Sequence, residues 1–468
     1  MLRSSFPRPA ILRPTRLRKR LWQGGVALAV IVVTFAIGNL FLSADKRVSA
    51  NMLGHDFLPF YTAGTFVNNG MHDLIYDLGA VKATEHELAD KNGLEIGKSF
   101  GPFWNPPFYA LIFGPLATLP YREALFCWTM LNVASLLAAM ILLIRFLKPD
   151  SDWRTTSLVP LLILVSVPFI QAISHGQNTF TSLMLVALIA TFWRKRNAVV
   201  AGLCCGLLLY KPQLAGLLVI MVMLDLGWRA GLAAAGAGAC FFLISAYLMP
   251  GSLADYMVKL PLNLHYMQVE NTYLWERHAT LRAFWRLLFQ GRGPGEITMP
   301  VAILTTGCSM LIGGALVIAA WRNHKRNVAA GITPDTPWTD TTAAVRRDRL
   351  IAATIAATPL VMPFYFDYDL LLLAVPATLL AAELNGRTTG ATSRPSDKWL
   401  VRAWAAMFLW LTINPGLAGM TRVNGTVILL STVATLLTTR ALRRNVDLQV
   451  YEARYEIAMN ANPRRAAA

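Results

Sequence analysis

The chain has 468 residues, of which 55% are hydrophobic and 15% charged, with a formal net charge of +17. A soluble domain carries roughly a quarter charged residues, so this composition excludes a soluble globular protein and points to an integral membrane protein. The Lys and Arg residues sit between apolar segments, so the positive charge reads as a record of topology and not as a nucleic-acid surface.

Residues 1–20 hold seven Arg/Lys and no acid and form a basic cytoplasmic N-terminus. The apolar run from Leu21 to Leu42 lacks a clear small-residue cleavage site, which predicts a retained first helix and not a signal peptide. The polar loop Ser43–Trp104 follows, with five Lys/Arg against eight Asp/Glu, as suits an exported loop. Further positive clusters are Arg145 to Arg154, Arg194-Lys195-Arg196, Arg229, Arg322 to Arg326 with Arg346-Arg347, Arg387 to Lys398, and Arg440 with Arg443-Arg444. With each of these cytoplasmic, spans are predicted at 123–147, 157–173, 178–193, 198–210, 213–227, 230–249, 298–321, 350–366, 368–384, 399–415 and 423–439.

With the first helix that makes twelve, or thirteen if the short proline-rich segment Pro106–Leu119 crosses fully instead of re-entering. The expected architecture is therefore an all-α polytopic membrane domain over 21–440, with outer loops at 43–104 and 250–297 and a cytoplasmic tail at 441–468. The cysteines Cys127, Cys204, Cys205, Cys240 and Cys308 fall inside apolar runs with no metal-ligand spacing, so they read as small packing residues and no disulfide is expected.

On this topology the unusual polar clusters all lie on the outer side, and ionisable groups near membrane depth usually line a cavity or pathway. His55-Asp56-Phe57, followed by Tyr61, reads either as a carboxylate placed as general base or as a helix N-cap. Phe57, Phe60 and Tyr61 suit an interface and can stack on a sugar. Asn105 sits in an aromatic, proline-rich entry to an apolar segment, where interfacial aromatics are common whatever the function. The turn His175-Gly176-Gln177-Asn178 is either part of the site or a connector.

Lys211 precedes Pro212 in an otherwise unbroken apolar stretch where nothing local neutralises it. It either snorkels to an interface or points at a phosphate. In the loop 250–297, Arg282 and Arg286 lie four residues apart among aromatics, and Arg277 precedes them. That pattern fits an amphipathic interfacial helix or a site for an anionic lipid head group. Tyr365, Asp367 and Asp369 follow Pro363 and either end a helix or bind a metal or sugar.

Taken in order, these pieces resemble glycosyltransferase family 87. The run Asp56-Phe57, Phe60-Tyr61-Thr62-Ala63-Gly64 is similar to that family's first-loop signature. So are Gly70 with Tyr76-Asp77, Asn105-Pro106-Pro107-Phe108, Gly176-Gln177-Asn178, Lys211-Pro212 and Tyr368-Asp369-Leu370. The resemblance implies a GT-C-type multi-helix fold with its active site at the outer face of the membrane, and the basic, Arg-rich, Cys-poor composition fits a bacterial inner membrane. It implies a polyprenyl-phosphate-linked sugar, mannose in this family, as donor, and an inverting transfer to a lipid or glycan acceptor with Asp56 as base.

Donor and acceptor contacts would come from His55, Tyr61, Asn105, Gln177, Asn178, Lys211, Arg277, Arg282, Tyr365, Asp367 and Asp369. Relatives carry a histidine near the Tyr368-Asp369 position, whereas the stretch Met362–Asp367 here has none. The leaving group is already a phosphate, so no cofactor is required and no nucleotide-binding glycine loop is present. Partners are the lipid-linked donor, the acceptor and membrane lipids, with no nucleic acid. The competing readings are a transporter or flippase, against which stands the lack of an inverted repeat, and a polysaccharide polymerase or ligase, which would not need Asp56.

Overall fold

The computed structural model describes residues 16–41, 53–147, 151–329, 331, 341–385 and 395–443. Most of the basic N-terminus, the start of the first long loop, part of the 387–398 cluster and most of the tail lie outside the described residues. Among the described residues the chain is all helix, with no strand and one isolated antiparallel bridge between His278 and Phe366.

Among the described residues five helices are long and apolar enough to cross a membrane: Arg18–Asn39, Tyr121–Ile144, Trp228–Leu248, Met299–Ala329 and Gly425–Leu442. A sixth span results if Trp153–Leu164 and Val167–His175, bent by 53°, count as one. The protein is an all-α polytopic membrane protein. Among the twelve or thirteen predicted spans, several runs form helices too short to cross alone, since a span needs about 20 residues.

The breaks have local causes. Ser166 ends one helix and caps the next, its hydroxyl accepting from Phe169 N–H. Pro212 cannot donate a backbone hydrogen bond, so the run through Lys211 splits into Ala198–Tyr210 and Pro212–Leu226. The predicted span 368–384 begins as a 3-10 turn, Asp367–Leu373, and continues as the helix Ala374–Asn385. Pro106–Leu119 forms only the short helix Pro107–Ala110 and the 3-10 turn Leu116–Thr118.

Both long loops fold. The first carries Leu58–Asn68 and Leu78–Asn92. The second of these is capped by the Asp77 carboxylate, which accepts from Ala80 N–H, and ended by the left-handed Gly93. The second loop carries Pro250–His265, a π turn Tyr266–Glu270, a 3-10 turn Trp275–Arg277 and the Thr280-capped helix Leu281–Gln290. All five cysteines are free.

The bundle has two chemically different ends. Thr179 starts the helix Thr179–Arg194 and hydrogen-bonds Asp369, while Arg194 ends it and pairs with Asp348. At 1.5 Å per residue those ends stand about 24 Å apart. Near the Arg194 end, several of the arginines expected on one membrane face meet buried acids. Arg349 and Arg440 both grip Glu383, and Arg440 also pairs with Asp397. The other end holds the candidate site.

Candidate active site

The site begins with two glycines. Gly54 has φ +78° and Gly176 has φ +70°, a region that a residue with a Cβ rarely adopts. A Cβ on Gly176 would stand 3.1 Å from Phe57 Cβ and 3.3 Å from Gly54 Cα, so the two turns pack backbone against backbone. Gly54 N–H donates to the Ser174 carbonyl at 2.8 Å and Asp56 N–H to the His175 carbonyl at 2.9 Å. The Tyr121 hydroxyl and the Trp128 indole N–H tie down the Gly54 and Gly176 carbonyls at 3.0 and 2.7 Å. The turn bearing Asp56 is thereby fastened to the end of the helix Val167–His175.

Asp56 does not cap a helix. The N-cap of Leu58–Asn68 is Phe57, and no side chain caps it. Instead Asp56 Oδ2 accepts from Gln177 Nε2 at 2.7 Å and lies 3.3 Å from His175 Nδ1. Its Oδ1 has no partner among the described residues, and the side chain is 37% exposed. Burial pushes the carboxyl up, but His175, Gln177 and the charge of Arg277 together hold it below the usual carboxylate value. Asp56 is ionised at neutral pH, with one oxygen open.

The other two aspartates are occupied. Asp367 takes a two-pronged contact from Arg277, Nη2 at 2.9 Å and Nε at 3.1 Å, and further bonds from Gln171 Nε2 and Tyr368 N–H. Asp369 takes Lys211 Nζ at 3.0 and 3.1 Å and the Thr179 hydroxyl at 2.8 Å. Nothing local neutralises Lys211, as expected, but Asp369 does so from 158 residues away. The Tyr368 ring joins the pairs: Lys211 Nζ lies 5.5 Å and the Arg277 guanidinium 6.0 Å from its centre, and His175 meets it edge-on at 6.5 Å.

Arg282 has no acid or hydrogen-bond partner among the described residues. Its guanidinium lies 6.0 Å from the Trp275 ring and 5.7 Å from Phe364. Arg286, four residues on, is turned away and donates to the carbonyls of Gly291, Gly293 and Gly295, which removes it from lipid head-group binding. Beside Arg282, His278 is fully buried between Tyr273 and Phe366, with both ring nitrogens unpartnered. Burial, aided by the charges of Arg277 and Arg282, pushes its pKa down to about 3, so the ring is neutral.

Other residues expected at the site support it from below. The Tyr61 hydroxyl donates to the Leu119 carbonyl, and its ring packs with Phe57 and Tyr121. Phe57, Phe60 and Tyr61 are core residues, not an exposed sugar platform. Asn105 donates to the Tyr210 carbonyl while its own carbonyl accepts from Tyr76. Asn178 donates to the Tyr109 hydroxyl, and Tyr365 donates to the Asp369 carbonyl. His55 sits in the Asp56 turn with Nε2 buried and unpartnered. His175 and Tyr368, singled out only as members of motifs, take part directly, and Gln171, Thr179 and His278 were missing from the expected site. Gln171 was within reach of sequence reasoning, because it stands four residues before His175 on one helix face.

Beneath the first loop, Glu85 is buried with Oε2 accepting from Gly101 N–H at 2.8 Å and Oε1 unpartnered. Burial raises its pKa to about 8, the Gly101 N–H opposes that, and the charge of Asp56 adds to it. The folded chain therefore keeps this proton well above the ordinary value of 4.5, at which the unfolded chain releases it. Stability falls as pH rises from 4.5 to about 8 and then levels off. Glu85→Gln is expected to remove that slope, read as a thermal-unfolding midpoint of detergent-solubilised protein that no longer drops between about pH 5 and pH 8.

Residues 103–333, just under half of the chain, match the family model described as glycosyltransferase family 87. That range contains Asn105, Gln177, Asn178, Lys211, Arg277 and Arg282, but not Asp56, Tyr365, Asp367 or Asp369. The chain is also similar to the polyprenol-phosphate-mannose-dependent alpha-(1-2)-phosphatidylinositol pentamannoside mannosyltransferase of Mycolicibacterium smegmatis. The two are 30% identical over 142 residues, which cover 30% of this chain and 33% of the relative. No solved structure matches. Together with the membrane helices, these matches support a membrane glycosyltransferase.

Proposed function

We propose, from the glycosyltransferase family 87 match, that the protein transfers a hexose, mannose by the same similarity, from a polyprenyl-phosphate-linked donor to a hydroxyl of a lipid or glycan acceptor at the outer face of the membrane. The observation that carries the mechanism is the contrast among the three aspartates. Asp367 and Asp369 are buried and saturated by Arg277 and Lys211, whereas Asp56 is ionised, half-buried and open at Oδ1.

Asp56 takes the proton of the acceptor hydroxyl, and the freed oxygen attacks the anomeric carbon. The bond from that carbon to the phosphate oxygen breaks with its electron pair, leaving a lipid phosphate monoester and a sugar of inverted configuration. His175 and Gln177 hold the carboxylate, so its reorganisation during proton transfer is small. The departing phosphate gains charge and needs a cation that is not already paired. Arg282 meets that requirement, whereas Lys211 and Arg277 are engaged with Asp369 and Asp367.

The test is purified protein supplied with radiolabelled polyprenyl-phosphate-mannose and membrane lipid acceptors. Label is expected to move into lipid or glycan, and a complete lack of transfer to every acceptor offered would sink the reading. In the same assay Arg282→Gln is expected to raise the donor KM about 10- to 100-fold, the worth of a charge-assisted hydrogen bond. An unchanged donor KM would return Arg282 to a merely structural stack on Trp275.

A further inference from the structure

Far from Asp56, the helices Met299–Ala329 and Gly425–Leu442 pack together around a cavity of about 560 Å3 lined by Arg322, Lys325, Arg326, Thr439, Leu442 and Arg443. Asn424, which caps the second helix, hydrogen-bonds the carbonyls of Glu276 and His278 at the candidate active site. The helix has 18 residues, so its far end stands about 27 Å away, close to the thickness of a bilayer core. The cavity is therefore a separate site at the opposite end of the bundle.

Its lining contains four cations and no acid. Arg326 donates to the Leu442 and Arg443 carbonyls and so closes the end of the helix Gly425–Leu442. Arg440, just behind, is paired with Asp397 and Glu383. Arg322, Lys325 and Arg443 have no acid partner among the described residues. All three are exposed, so water screens them, and an anion placed among them would be attracted by all three.

The rim indicates what kind of anion. Within the preceding two turns Trp321, Val317 and Ile318 are exposed at 53%, 44% and 47%, and Lys325 Nζ lies 4.0 Å over the Trp321 ring. The cavity thus opens where the apolar surface of a span gives way to charge, and a ligand filling it can lay an acyl chain along the apolar residues.

We propose that this cavity binds the phosphate of an anionic membrane lipid, with Arg322, Lys325 and Arg443 as its cations. Basic pockets between spans suit such head groups, because each Lys or Arg adds to the attraction and the lipid tail remains in the bilayer. The site owes nothing to the assignment of Asp56, so the failure of either reading leaves the other standing.

The test is native mass spectrometry of the full chain, purified in mild detergent, with short-chain phosphatidylglycerol, phosphatidylcholine of the same chains, or inorganic phosphate. Phosphatidylglycerol is expected to be retained over phosphatidylcholine, and R322Q/K325Q/R443Q to lower its affinity about 100-fold, to the level of phosphatidylcholine. Arg326 is left in place because it caps the helix. If the triple variant fails to fold, K325Q alone is expected to lose about a third of that discrimination on a logarithmic scale. Equal retention of both lipids, or unchanged phosphatidylglycerol affinity in the variants, overturns the proposal. Full displacement of the lipid by inorganic phosphate overturns it too, because the cavity would then take a free anion.

Discussion

Asp56→Asn is expected to yield a folded, membrane-inserted protein that still binds donor and transfers almost no sugar. Removal of a general base costs on the order of 100- to 10,000-fold in rate. The substitution keeps the shape of the side chain and an oxygen to accept the Gln177 amide, and it abolishes basicity. A large effect on stability is not expected, since the side chain is 37% exposed and caps no helix. Transfer rate and donor affinity measured on the same preparation separate the two quantities. Near-normal turnover in this variant would move the base elsewhere, and His55 would be the next residue to replace, because Asp367 and Asp369 have no oxygen to spare.

Lys211→Met is expected to lower stability by about 3–5 kcal/mol, the usual result of leaving one member of a buried ion pair alone. Asp369 would keep only the Thr179 hydroxyl while its side chain stays 4% exposed. The double variant Lys211→Met/Asp369→Leu is expected to recover most of the loss, because a buried pair replaced by apolar groups is often close to neutral. Unfolding midpoints of the two single variants and the double variant give the coupling directly. A stable Lys211→Met protein with weakened donor binding would instead make Lys211 a phosphate ligand.

The contrast between these two residues marks what was legible in the sequence. The apolar runs and the charge pattern carried the all-α membrane architecture, because bilayer thickness and helix rise act on every residue of a span. They did not carry every break. Ser166 and Pro168 cut the run 157–173, which hydropathy alone reads as whole, whereas the break at Pro212 was already legible between 198–210 and 213–227.

Asp56, His175 and Gln177 were each conspicuous as polar groups in short turns, and only the mutual approach of those turns joined them. Lys211 with Asp369 and Arg277 with Asp367 lie 158 and 90 residues apart. No local rule marks such partners, so a cation read as free in the sequence proved to be spent. The aromatics after Asp56 were misjudged for a different reason: one composition serves an interface, a sugar platform or a packed core, and only burial distinguishes them.

The close approach of Gly54 and Gly176 bears on how loss-of-function variants of this protein are to be interpreted. A methyl group at Gly54 would run into Leu125, and one at Gly176 would press on Phe57 and on the Gly54 backbone. Either would unfasten the turn from Ser174 and His175 and carry the carboxylate out of register with its two holders. A screen that scores activity alone would rank these positions beside Asp56, although neither has a side chain that could touch a substrate. The distinguishing mark is the response to crowding: widening the space by trimming Leu125 should partly restore Gly54→Ala and do nothing for Asp56→Asn.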